Sequence, residues 1–341
     1  MIHSSITAPR PTSEQLATTR AVVQWYLDLY YSTDADLGLL SMFCNPARVG
    51  HFAVNQEDIA TEQPDALFKL LVTVAMFQRL RDSHVMGILR GISAEDAADM
   101  TSVETLLALA QGCTCPHSHS NKSLIQLCDL TKKPETKRGT CTVAPELPCY
   151  LKHHTELLRR YGHFGKVPTS AALVISEHGD LAQLRVRVLT EVADPLERAQ
   201  QLEMALSKAW RISEKLSAMY LSLLTVPNLG LERPPWQEGI DWRYFVVVDR
   251  NVDAFLTTIN YSGSGTYTAR RTFVQALAEG VNLSALRPEL TKNNPRLVQQ
   301  AFYLFMSEPN RRTNQADCCQ HGDKVCAKCP SVLSEKCPTR R

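Results

Sequence analysis

Apolar residues recur every three or four positions through most of this chain, the period of a helix that buries one face. The stretch "SEQLATTRAVVQWYLDLYY" shows it from just after Pro11, and "PDALFKLLVTVAMFQRL" is apolar on almost every side, as in a central helix covered by its neighbours. "TSVETLLALAQG" carries a capping box from Thr101 to Glu104 and a stop at Gly112. "DPLERAQQLEMALSKAW" opens with Asp194 at the cap, Pro195 in the first turn and Glu197 three residues on. Further helices fit 149–161, 169–178, 212–224, 250–259, 266–279 and 294–307. The one β-like run is "YFVVV", 244–248, and no second strand offers to pair with it. The pattern predicts an all-α protein with loops rich in Pro, Gly and Cys at 112–148 and 225–243.

Composition narrows the class without changing that picture. At 341 residues the chain builds one or two lobes, and 44% apolar with 21% charged residues is a globular balance. No apolar run reaches the length of a membrane span, and "MIHSSITAPRPTSEQ" lacks the build of a secretory signal. The expected location is the cytoplasm, where clustered thiols more often hold metal than form disulfides. A formal charge of +2 gives no general attraction to nucleic acid, so a phosphate-binding face has to be local.

The cysteines change it most. Five of the eleven fall in the single stretch "CCQHGDKVCAKCPSVLSEKC". Cys319, Cys326, Cys329 and Cys337 are separated by six, two and seven residues, a spacing that suits zinc or a cubane iron–sulfur cluster. Cys318 is an alternative first ligand. Seven basic residues against three acids, counted from Arg311 on, put local positive charge around that loop. A second group, Cys113, Cys115, His117, His119 and Cys128 with Cys141 and Cys149 beyond, has enough soft ligands for zinc, but a one-residue gap tighter than zinc knuckles use. A long loop of scattered thiols is the alternative. Lys152, Arg159, Arg160 and Lys166 form either a phosphate-facing edge or a solvated face.

The tail, placed after "NNPRLVQQAFYLFMS", resembles the helix-hairpin-helix DNA glycosylases that carry a C-terminal iron–sulfur cluster, the endonuclease-three and adenine-glycosylase kind. Their cysteine gaps are six, two and five; here the last is seven. "FVVVDRNVDAFLTTI" is similar to the segment bearing the family's catalytic aspartate, which falls on Asp249, with Asp253 where the family has arginine. "RISEKLSAMYLSLL" resembles the hairpin, putting Lys215 on the nucleophilic lysine of the bifunctional members, while Arg211 and Ser213 replace the hairpin glycines. The resemblance implies a two-lobed fold. Residues 1–63 would be a helical extension on the C-terminal lobe, 64–240 a lobe with an insertion at 112–149 and a hairpin near 205–224, and 241–341 the aspartate helix and the cluster loop. It also implies a [4Fe–4S] cluster on Cys319, Cys326, Cys329 and Cys337, and double-stranded DNA as partner to a nucleoid-associated monomer. Arg211, Ser213 and Lys328 are the expected DNA contacts.

The residues suggest the chemistry themselves. Asp249 follows an apolar run and opens a helix, where backbone N–H groups favour the carboxylate. Beside a deoxyribose it would stabilise the positive charge that grows as the glycosidic bond of a flipped base breaks. Lys215 lies in the first turn of a helix, where the dipole disfavours a cation, and a neutral amine there would attack the sugar and permit strand cleavage. Trp236 and Trp242 either line a base pocket or pin their loop to the core. The activity that the resemblance implies is a DNA glycosylase, with AP lyase activity if Lys215 reacts, serving repair or defence against phage DNA with bulky bases. The alternatives are a DNA-binding protein of that fold without cleavage, and a zinc-stapled helical scaffold.

Overall fold

Capping residues set most helix boundaries in the computed structural model, which describes residues 9–31, 38–130, 139–158, 165–307 and 329–338. Helix α1 (Ser13–Leu29) starts at Thr12, whose side chain accepts from Gln15 N while the Gln15 side chain returns to the Thr12 amide, satisfying two donors at once. Helix α2 (Pro64–Met76) begins with proline in its first turn and has buried residues on all sides. Then come α3 (Asp82–Arg90), α4 (Ala94–Thr101) and α5 (Val103–Gly112). The cap of α5 is Ser102, whose hydroxyl accepts from Thr105 N; Thr101 ends α4 instead of opening α5. Helices α6 (Tyr150–Leu158), α7 (Lys166–Ser176) and α8 (Leu181–Glu191) lead to α9 (Pro195–Leu206), capped by Asp194 as its sequence predicts. Beyond the turn lie α10 (Glu214–Thr225), α11 (Arg250–Thr258), α12 (Tyr267–Glu279) and α13 (Pro295–Met306). No strand occurs among the described residues, so the fold is all-α.

Two large apolar cores organise these helices. The first gathers α2 to α4 and α7 to α10, with Tyr220 donating its hydroxyl to Leu67 O at its centre. The second packs α1, α11, α12 and α13, with Phe255 stacked on Phe302 at 4.0 Å and Trp25 edge-on to Phe305 at 5.4 Å. Arg287 donates to Leu27 O and Gln15 to Ile259 O, tying α1 to this second lobe. A third, small cluster of Leu124, Cys128, Leu130 and Leu151 sits under the cysteine-rich insertion.

The run 244–248 explains why a strand-like pattern makes no strand. Tyr244, Phe245 and Val247 belong to the first core, Val246 and Val248 to the second. Tyr244 closes the 3₁₀ turn Trp242–Tyr244, and only from Phe245 to Val248 do successive residues alternate between the two cores. The lobes are also pinned by a buried ion pair, Arg271 to Glu203 at 3.0 Å, with the Tyr244 hydroxyl donating to the same carboxylate at 2.6 Å. Among the described residues no helix is long and apolar enough to cross a membrane.

Candidate active site

Between α9 and α10 the chain turns sharply, and Arg211 takes φ +64° there. That left-handed conformation costs a residue with a Cβ about 1–2 kcal/mol and glycine nothing. The strain lies at one of the two positions where the resemblance expects glycine. Ser213, at φ −91°, needs none; it is the N-cap of α10, and its side chain makes no capping bond. Lys215 follows as the second residue of α10, half-buried.

Asp249 is the N-cap of α11. Its Oδ1 accepts from the amides of Asn251 at 3.0 Å and Val252 at 2.9 Å, fixing the carboxylate on the helix axis. Oδ2 meets the Asn251 side chain, at 3.4 Å. Asp253, one turn into α11, accepts from Arg270 at its Oδ2, at 3.0 Å.

Lys215 and Asp249, 34 residues apart in the chain, line one cleft of about 680 Å³ where the two cores meet. The turn from α2 to α3 supplies Arg79, Arg81 and Asp82, and α13 supplies Arg296, Gln299 and Tyr303. Leu39 and Met42 reach the rim because Gly38 lies against Gly230; a Cβ on Gly38 would stand 2.7 Å from the Gly230 Cα. Five cationic side chains face two carboxylates in this lining, which makes it a place for an anionic ligand. Arg79, in the cleft lining, is also left-handed, at φ +61°.

Asp82 is the site residue that sequence reasoning missed. Nothing local marks an aspartate at a helix start as part of a cleft whose other members come from α10, α11 and α13. Burial pushes its carboxyl above the usual aspartate range. Tyr303, donating its hydroxyl at 2.7 Å, and the charge of Lys215 pull it back, and the Asp249 charge pushes it up. Arg296, 3% exposed, donates Nε to Ser222 Oγ and Nη1 to Gln299 and Gln300 Oε1, so it bridges α13 to α10 beneath the cleft. Burial lowers its pKa to about 10, and Tyr26, Tyr267 and Asp249 act against that fall.

Arg211 and Ser213, the expected DNA contacts among the described residues, lie at the turn before α10. Arg211 stacks on the Trp210 ring at 5.1 Å, and Ser213 is exposed beside it. Lys328 lies outside the described residues. Trp236 is wholly buried and donates to Glu62 at 2.9 Å, which pins its loop, and Trp242 packs on the second core; neither lines the cleft. Lys166 is buried, Lys152 is spent on the carbonyls of Ala144, Pro145 and Leu147, and Arg159 and Arg160 lie outside the described residues. These two lysines form no phosphate-facing edge.

The metal expectations require correction. Among the described residues no group of three or more His, Cys, Asp or Glu side chains could hold a metal ion, which overturns the iron–sulfur, metal-binding reading and its [4Fe–4S] cofactor. Cys318, Cys319 and Cys326 lie outside the described residues. Cys329 and Cys337 flank the short helix Ser331–Lys336 and pack as small apolar groups against the second core. The second group serves packing as well: Cys128, 7% exposed, belongs to the small third cluster, Cys141 and Cys149 abut that cluster, and His119 approaches Cys113 O at 3.1 Å. Burial pushes the Cys128 thiol up to about 12 and raises Cys149.

The comparisons with known proteins leave the reading to this geometry: no family model, no curated protein and no solved structure matches this chain.

Proposed function

We propose that this chain is a DNA glycosylase of the two-lobed helix-hairpin-helix kind, releasing a flipped damaged or modified base, with Lys215 adding AP lyase activity. One observation carries the reading: the lysine of the hairpin and the capping aspartate of α11 meet in a single, net cationic cleft between two lobes. A volume of about 680 Å³ lies within the range of small-ligand pockets and leaves room for an extruded nucleotide. The surplus of arginine around it suits the flanking phosphates.

In this mechanism the base leaves with the electron pair of its glycosidic bond, and positive charge grows on the sugar. Asp249, held by two backbone amides, keeps its carboxylate oriented towards that charge with no reorganisation during the reaction. The Lys215 amine attacks the first carbon of the sugar with its lone pair and loses a proton; the ring C–O bond at that carbon then opens, its oxygen taking up a proton, and the Schiff base so formed permits strand cleavage. Asp82 lines the same cleft and accepts from the Tyr303 hydroxyl at 2.7 Å.

The test is incubation with a panel of damaged and modified duplexes, detecting released base by mass spectrometry, with borohydride in a parallel reaction. Base release together with a covalent protein–DNA adduct is the expected result. No release from any duplex, and no adduct, would set the reading aside.

A further inference from the structure

The left-handed turn at Arg211 needs support, and it comes from the cysteine-rich insertion. The Trp210 amide donates to Ser170 Oγ at 2.6 Å, and Ser170 Oγ donates to Asn121 Oδ1 at 2.5 Å. The Asn121 amide nitrogen then donates to Lys208 O at 3.0 Å. One hydrogen-bond chain thus leaves the turn at Trp210, crosses α7, and returns to it two residues earlier through the insertion helix Asn121–Gln126. Its side-chain members both donate and accept in a consistent sense, which strengthens every link.

Lys166 makes a second tie. Its ammonium is 1% exposed, donates to Leu124 O at 3.1 Å and Cys128 O at 2.5 Å, and sits 4.7 Å from the Trp210 ring centroid. Two carbonyls and an aromatic face satisfy the buried cation, so the insertion and the turn are held through one charge. Burial lowers its pKa, while Cys128 and Asp129 favour the charged form. The sulfurs of the insertion pack the small core on which these carbonyls rest.

We infer that the insertion is a brace for the hairpin, with Asn121 and Lys166 as positioning residues that hold the Lys208–Ser213 turn in its DNA-binding shape in place of the absent glycines. This rests on the proposed function for its DNA arm only. The brace acts on the backbone that meets the duplex, not on the reacting groups, so it governs binding and spares the chemical step.

The experiment compares wild type with Asn121→Ala, Asn121→Asp and Lys166→Met in three measurements. These are anisotropy with an unmodified duplex, single-turnover base release at saturating substrate, and amide hydrogen exchange at Trp210. Asn121→Ala is expected to weaken duplex binding about tenfold, the value of about one hydrogen bond, with the saturated rate unchanged. Exchange at Trp210 should quicken in the same variant. Asn121→Asp keeps the acceptor for Ser170 and loses the donor to Lys208, so slow exchange at Trp210 should return while binding stays weak. Lys166→Met should weaken binding with the saturated rate kept. Wild-type binding and exchange in both Asn121→Ala and Lys166→Met would overturn the brace. A saturated rate falling in step with affinity and thermal midpoint would also overturn it, as general destabilisation. If the wild type itself fails to bind duplex, the proposed function falls, and exchange at Trp210 alone decides the brace.

Discussion

Replacing Asp249 by asparagine separates the two things this residue does. As a cap, asparagine is about as good as aspartate, and its Oδ1 can still accept from the Asn251 and Val252 amides. What is lost is the charge at the start of α11, worth about 0.3–1 kcal/mol against the helix dipole. The weak contact from the Asn251 side chain to Oδ2, at 3.4 Å, adds little. The thermal midpoint should therefore fall by no more than about 2–4 °C. Asp249→Ala loses the cap as well, about 0.5–2 kcal/mol, and should melt lower. Chemistry responds differently, because the charge that meets the developing sugar cation is gone in both. Base release in single turnover should drop about a hundredfold or more in Asp249→Asn, with duplex affinity kept. Thermal unfolding, anisotropy and single-turnover release on one preparation give all three values. Wild-type release by Asp249→Asn, with instability confined to Asp249→Ala, would refute the reasoning and leave Asp249 as a helix cap alone.

Borohydride should trap a covalent adduct with wild type and none with Lys215→Ala; an adduct that persists in the variant would move the nucleophile to another amine. Asp82 binds its proton more tightly folded than unfolded, so its ionisation subtracts stability as pH rises above the usual aspartate value near 3.8. Asp82→Asn should therefore melt higher than wild type at pH 7, with the gap closing as pH falls towards 4, and a gap that grows on acidification would contradict the assignment. Arg271→Met leaves Glu203 buried without its cation, which costs about 3–5 kcal/mol in urea unfolding. Adding Glu203→Gln to that variant should recover part of the loss, since the uncompensated charge is then gone. No recovery would mean that lost packing against the Tyr244 ring, 3.8 Å from the guanidinium, dominates.

The sequence alone determined what depends on neighbours a few residues apart. Asp194 capping α9, Pro195 in its first turn and Asp249 capping α11 are local hydrogen bonds and dihedral limits, and each was legible before any fold was known. The same signal misled where two caps compete: Thr101 and Ser102 adjoin, and packing of α4 gave the cap to Ser102. The cleft was decided elsewhere. Asp82 and Tyr303 are 221 residues apart, and Arg296 reaches Ser222 across 74, so no local pattern marks them as partners. Residues 245–248 alternate as a strand does, yet only the presence of a core on each side shows which faces they serve. Cysteine spacing expressed how ligands could be arranged along a chain, while the placement of Cys128, Cys141 and Cys149 was settled by a small apolar core. Helix caps close over three residues and are written in those residues; a cleft closes between lobes, and its members are chosen by the packing of both.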